Sequence, residues 1–127
     1  MNSINIQSSE FTPKVLFDPS ANKYEISGES RPENSGKFYE PIIQWLEQYA
    51  SSLNGSSNIV FEFKFDYFNS SSAKYILDIL KQLNNYHTKG VGIKIKWSFD
   101  ALDEDMKESG EEFAKLINVP FEFIPIE

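Results

Sequence analysis

Four polar residues, Asn69-Ser70-Ser71-Ser72, form the densest run of chemically usable groups in this 127-residue chain. Consecutive hydroxyls can do three kinds of work. One can serve as the nucleophile of a hydrolase if a base lies beside it. One can accept a phosphoryl group, which adds charge and three acceptor oxygens. Together with Asn69 they can cap a helix, because side-chain oxygens accept from the unpaired amides of the first turn. Taken alone, the run reads as a cap, since Asn and Ser dominate that position. Three serines are nonetheless more than a cap requires.

Other reactive residue types are sparse. His87 is the only histidine, so a Ser–His–Asp hydrolase would have to use it as its base. It sits in a polar segment, Asn84-Asn85-Tyr86-His87-Thr88-Lys89-Gly90, that reads as a solvated helix end. No Gly-x-Ser-x-Gly elbow is present, and enzyme activity is not expected. No glycine-rich phosphate loop exists, so the chain is not read as a kinase. Asp100, Asp103, Glu104, Asp105, Glu108, Glu111 and Glu112 hint at a calcium or magnesium site. They lack the glycine and terminal glutamate of an EF-hand loop, and carboxylates also suit the positive end of a helix dipole. A solvated acidic first turn is the preferred reading, and no metal or cofactor is expected. Trp45 and Trp97 read as core aromatics.

The elements that must position the serines follow from periodicity. Phe61, Phe63 and Phe65 alternate with Glu62, Lys64 and Asp66, which marks a strand. Ala73, Ile76, Leu77, Leu80 and Leu83 then recur at helical spacing. The serines thus stand where a buried strand enters an amphipathic helix, and the free amides and dipole there favour negative charge. Upstream, Met1 to Gly28 reads as short strands, with a hairpin turning at Asp18 to Asn22 over a loop of about five residues. Gly28 to Gly36 reads as a loop. A helix is predicted from roughly Lys37 to Leu53, capped by Asn34 or Ser35, with Pro41 acceptable only in its first turn. Its apolar face is Ile42, Ile43, Leu46, Tyr49, Ala50 and Leu53. Downstream come a strand through Val91, Ile93, Ile95 and Trp97, and a helix to about Asn118 using Met106, Phe113, Leu116 and Ile117, interrupted by Gly110. A last strand spans Pro120 to Ile126. Alternating strands and helices imply parallel pairs joined by crossovers. Strands with one polar face place most helices on one side of a mixed sheet.

Composition bounds the rest. The length suits one domain, and 40% apolar with 15% aromatic residues argues against disorder. There is no cysteine, hence no disulfide and no thiolate site. No apolar run approaches the roughly 20 residues of a membrane span, and the N-terminus lacks signal-peptide features, so a cytoplasmic location is expected. A net charge of −7 disfavours nucleic acid and anionic membrane as partners and fits a protein that meets other proteins.

Several stretches together resemble a known family. These are Gly28-Glu29-Ser30-Arg31-Pro32-Glu33-Asn34, Phe38-Tyr39, Tyr67-Phe68-Asn69-Ser70-Ser71-Ser72-Ala73-Lys74, and Trp97 ahead of Asp103-Glu104-Asp105-Met106 and Gly110-Glu111-Glu112-Phe113. The chain resembles, over nearly its whole length, the SiaC family of bacterial regulatory phosphoproteins. That family is similar in fold to the anti-sigma-factor antagonist (STAS) domains, so the resemblance implies a single STAS-like α/β domain spanning residues 1–127. It also implies a switch. A cognate serine/threonine kinase modifies a hydroxyl of the Asn69–Ser72 motif, and a PP2C-type phosphatase removes the phosphate. The unmodified form binds and stimulates a diguanylate cyclase, raising cyclic di-GMP. The family's usual modified residue is threonine, and Ser70 stands at that position, with Ser71 as second choice. Arg31 stands where a tyrosine is common. The implied partner-binding residues are Glu29, Ser30, Arg31, Glu33, Asn69, Ser70, Ser71 and Ser72, on a protein expected to be a monomer when free. The alternatives are an unphosphorylated STAS-like scaffold or small-anion sensor, and a hydrolase using Ser70 or Ser71.

Overall fold

In chain order the elements are β1 (Ile4–Ile6), β2 (Lys14–Asp18), β3 (Lys23–Ser30), α1 (Ser35–Tyr49), β4 (Asn58–Phe68), α2 (Ser70–Thr88), β5 (Gly92–Asp100), α3 (Glu104–Ala114) and β6 (Phe121–Ile126), with a 3₁₀ turn at Ala50–Ser52 after α1. The computed structural model describes residues 2–127; Met1, at the head of the strand-rich segment, lies outside the described residues. The six strands form one sheet in sequential order, β1-β2-β3-β4-β5-β6. The first two pairings are antiparallel and the last three parallel. Asp18 pairs with Lys23, so the hairpin loop is Pro19–Asn22, one residue tighter than expected.

Sequential order explains the one-sided architecture. Each βαβ crossover is right-handed as a rule, so a sheet that always advances in one direction keeps its helices on one face. Register confirms it. Phe63 lies opposite Trp97, and the Trp97 indole donates to the Met106 carbonyl of α3 at 3.0 Å. Tyr24 lies opposite Phe61, and its hydroxyl bonds that of Tyr49 on α1. The Tyr86 hydroxyl of α2 donates to the Leu46 carbonyl of α1. Phe61, Phe63, Phe65, Ile42, Leu46, Ile76 and Leu80 are all buried in this one core. The opposite face carries Lys64 and Asp66 in the open, with ion pairs between Lys14 and Glu25 and between Lys94 and Glu122. The mixed sheet with helices on one face is therefore as expected.

Several boundaries differ from the sequence reading. Gly28, Glu29 and Ser30 are not loop but the end of β3. The register shifts between Gly28 and Glu29, and Gly28 has φ +110°, so this glycine marks a bulge rather than a strand end. α1 starts at Ser35, capped by Asn34, and Pro41 lies inside the helix rather than in its first turn. Pro41 and Lys37 are both exposed, so water can satisfy the carbonyl left without its i+4 donor. α2 runs through Asn84–Thr88, a segment read as its terminator. Its buried stripe Ser72, Ile76, Ile79, Leu83, Tyr86 continues that far, and packing overrides the weak propensities of Asn and Thr. Gly90, at φ +90°, then ends the helix: its amide bonds the His87 carbonyl, and the Val91 amide bonds that of Tyr86. α3 ends at Ala114, which leaves Leu116 exposed rather than on an apolar helix face, while Ile117 is buried.

Candidate functional site

In a parallel sheet every strand-to-helix loop emerges at the carboxyl end of the strands, where ligand and partner sites gather. Here that end collects Arg31–Asn34, Asn69 and Ala101–Asp103, each leading into a helix. The Asn69 junction is the most elaborately built. Asn69 has extended backbone (φ −84°, ψ 174°), and its Oδ1 accepts from the Ser72 amide at 2.9 Å, making it the N-cap of α2. Its own amide donates to the Ser30 carbonyl at 3.0 Å, which ties the helix start to the end of β3.

The three serines that follow have three different environments. Ser72 is fully buried; its hydroxyl donates to the Ser30 carbonyl at 3.1 Å and lies 2.9 Å from the Ser30 hydroxyl. Ser30 is equally buried and bonds the hydroxyl of Tyr39, also buried, on α1. Desolvation pushes the Tyr39 phenol up to about 12, although the Ser30 and Ser72 hydrogen bonds pull the other way. Ser71 sits at the surface, but its hydroxyl lies 2.8 Å from that of Ser35 and donates to Asn69 Oδ1 at 3.2 Å. Ser70 is exposed at the first position of α2, and no described residue hydrogen-bonds its hydroxyl.

The neighbouring strand end completes the surface. Glu29 pairs in register with Tyr67, and Ser30 with Phe68. The Arg31 Nε donates to Glu29 Oε2 at 3.0 Å, while its guanidinium lies 4.7 Å from the Phe11 ring centroid. The Arg31 amide also donates to the Phe11 carbonyl. Glu33 is exposed. Glu29, Arg31 and Glu33 thus lie at or just beyond the end of β3, and Asn69, Ser70 and Ser71 just beyond the end of the adjacent β4, with Arg31, Glu33, Ser70 and Ser71 exposed and Glu29 and Asn69 half-buried. The structure corrects the expectation for Ser30 and Ser72, whose side chains face inward and can only support that surface. Tyr39, Ser35, Phe11 and Tyr67 were missed as site residues. Tyr39 and Ser35 carried a signal, since 35, 39, 42, 46 and 49 form one helical stripe. Phe11, in an irregular loop, carried none.

Two other candidates resolve differently. Asp103 caps α3, accepting from the Met106 amide at 3.0 Å, with Glu104 and Asp105 in the first turn. Among the described residues no group of three acidic or histidine side chains is arranged to hold a metal. His87 lies in the last turn of the helix that Ser70 begins, roughly 25 Å away at 1.5 Å per residue, so neither serine can use it as a base. No helix among the described residues is long and apolar enough to cross a membrane.

The fold is a small α/β domain with its helices on one face of a mixed sheet, and the exposed Ser70 hydroxyl at the start of α2 is a group that can accept a phosphoryl group. The chain belongs to the SiaC family of regulatory phosphoproteins, whose family model matches residues 6–126. It is 30% identical over 121 residues to a protein of Pseudomonas aeruginosa strain UCBPP-PA14, covering 95% of this chain and 94% of the relative. It is similar to the crystal structure of apo-SiaC from Pseudomonas aeruginosa, with 28% identity, a TM-score of 0.87, and coverage of 98% of this chain and 99% of that one. It is also similar, at 28% identity and a TM-score of 0.88 over 97% of this chain and 99% of the other, to a chain in the crystal structure of the diguanylate cyclase SiaD in complex with its activator SiaC, from the same organism.

Proposed function

We propose that this chain is a phosphorylation-switched binding regulator, acting in the cytoplasm, whose unmodified form docks onto and stimulates a diguanylate cyclase. A cognate serine/threonine kinase would modify Ser70, and a PP2C-type phosphatase would restore it. Membership of a regulatory phosphoprotein family and likeness to a cyclase activator support the class of function. The observation that carries the switch is the isolation of Ser70: of three consecutive hydroxyls, only this one is both exposed and free of hydrogen bonds to described residues.

The physics of blocking is simple. A phosphate adds about −1.5 to −2 charges at neutral pH. At the first turn of α2 the free amides and dipole make that charge tolerable, by roughly 0.3–1 kcal/mol at an exposed end, so the domain keeps its fold. A partner that covers Ser70 must desolvate the dianion, which is costly without a cation to meet it. Association fails while the fold persists. Glu29, Arg31, Glu33, Asn69, Ser70 and Ser71 would form the contact surface, with Ser30 and Ser72 holding it in place.

The test is kinase-dependent labelling of wild type, Ser70→Ala and Ser71→Ala side by side, with cyclase stimulation measured on each. Ser70→Ala should take no label and stimulate constitutively; Ser71→Ala should label normally. Ser70→Asp should fold normally and bind the cyclase poorly. Full labelling of the Ser70→Ala protein would overturn the assignment.

A further inference from the structure

Three adjacent serines pose a selection problem that sequence preference alone does not solve. Ser72 is excluded by burial, but Ser71 is at the surface beside Ser70. The difference between them lies in what each hydroxyl is doing. Phosphoryl transfer from ATP needs a lone pair of Oγ to attack the γ-phosphorus as the bond to the β-γ bridging oxygen breaks and ADP leaves. The hydroxyl proton must pass to the kinase's carboxylate base. On Ser71 the hydroxyl is engaged on two sides. It can donate to Asn69 Oδ1, 3.2 Å away. The shorter contact, 2.8 Å to the Ser35 hydroxyl, ties the same oxygen to α1, with either hydroxyl able to donate.

The partner that holds Ser71 is itself fixed. Ser35 is buried at the first position of α1, and α1 is clamped to α2 at this point. A Cβ on the adjacent Gly36 would come within 2.9 Å of the Tyr75 hydroxyl, and the Tyr39 and Tyr75 rings stack 7° from parallel at 5.8 Å. The Ser71 hydroxyl is therefore held by Ser35 at the seam between two helix starts, whereas that of Ser70 faces solvent.

We infer that Ser35 is a specificity-determining residue that silences Ser71 and so confines phosphorylation to Ser70, leaving Ser71 a latent acceptor. This rests on the proposed switch at Ser70. Removing the Ser35 hydroxyl releases the Ser71 hydroxyl from one of its two hydrogen bonds and lets its side chain rotate away from the seam. Asn34, not Ser35, supplies the cap of α1, so Ser35→Ala leaves the helix start intact.

The experiment labels five proteins with ATP and the kinase activity of native cell lysate, and maps phosphoserine by fragment-ion mass spectrometry. They are wild type, Ser70→Ala, and Ser70→Ala combined in turn with Ser35→Ala, Ser35→Thr and Ser35→Gly. Wild type should carry phosphate on Ser70 only, and Ser70→Ala almost none. The Ser35→Ala combination should regain label on Ser71, by about tenfold over Ser70→Ala, as expected for releasing a hydroxyl from one of its two hydrogen bonds. Ser35→Thr keeps the hydroxyl and should keep Ser71 silent. The Ser35→Gly combination should behave like Ser35→Ala and serves if the alanine protein folds poorly. Wild type labelled on Ser70, with Ser71 silent in both the alanine and glycine combinations, overturns the inference and leaves the switch standing. So does wild-type label shared between Ser70 and Ser71. Absence of label on wild-type Ser70 overturns the switch and the inference with it.

Discussion

Ser30, Ser72 and Tyr39 bring three hydroxyls into a fully dry place, one each from β3, α2 and α1. An unpaired buried hydroxyl is costly, so three that satisfy one another hold their elements in a fixed relation. Among the described residues no buried side-chain oxygen or nitrogen lacks a partner. Burial also makes the Tyr39 phenol hard to ionise, holding its pKa at about 12 against the ordinary value near 10. Desolvation raises Tyr24 and Tyr86 in the same direction. The folded state therefore holds these protons when the unfolded chain has begun to release them. Their stabilisation is complete below about pH 10 and is lost as pH rises toward the folded values. Urea unfolding at about pH 9 and about pH 11 should show lower stability at the higher pH, and Tyr39→Phe, which has no proton to lose, should lessen the difference. A drop of equal size in both proteins would remove Tyr39 from the explanation. The cap at Asn69 was legible in the sequence because capping is local chemistry within four residues. The Ser30–Ser72–Tyr39 group was not, because residues up to 42 positions apart meet there only after the elements have packed.

At the scale of elements, α3 shows why a residue that looks like an interruption can be the reason a helix sits where it does. Gly110 lies on α3 directly over Trp97, and a Cβ built there would fall 2.5 Å from the indole. The same indole reaches the Met106 carbonyl one turn earlier, so the ring is gripped on its face and at its nitrogen. Gly110→Ala should improve intrinsic helix propensity by about 1 kcal/mol, yet overpacking typically costs about 1–3 kcal/mol. The clash is against a large, fully buried ring, so we expect net destabilisation, with altered tryptophan fluorescence as α3 shifts. A protein that melts higher than wild type with unchanged emission would contradict this packing. Periodicity located all three helices because each has one apolar stripe. It misjudged their ends: α2 continues past Asn84 because Tyr86 finds the Leu46 carbonyl, and α1 carries Pro41 internally because that side is wet. Both depend on surroundings that local sequence does not carry.

The whole molecule is organised by β4, flanked in parallel by β3 and β5. Phe63 stands at its middle, opposite Ile26 on one side and Trp97 on the other, and its ring stacks with those of Phe65 and Trp97. At 1% exposure, truncation leaves a cavity in the layer that all three helices share. Phe63→Ala should cost about 3–5 kcal/mol in chemical denaturation, enough to consume a large part of a typical domain's stability. A loss under about 1 kcal/mol would mean the core can collapse around the site. This much of the fold was readable in advance, since Phe61, Phe63 and Phe65 alternate with charges and only one face of such a strand can be buried.

The sequential strand order also bears on how the chain is made. Translation delivers a chain from its N-terminus, and domains begin to organise while later residues are still being added. Each strand of this sheet from β2 onward meets its earlier neighbour already in place at the growing edge. None must wait for a later strand to insert between two existing ones. The hairpin of β2 and β3 can form first, and each crossover then lays one helix and one strand onto what precedes it. Assembly can keep pace with the ribosome, and the Asn69 junction acquires its β3 partner as soon as β4 and the first turn of α2 have emerged. β6 then docks beside β5 as the sixth strand of the sheet.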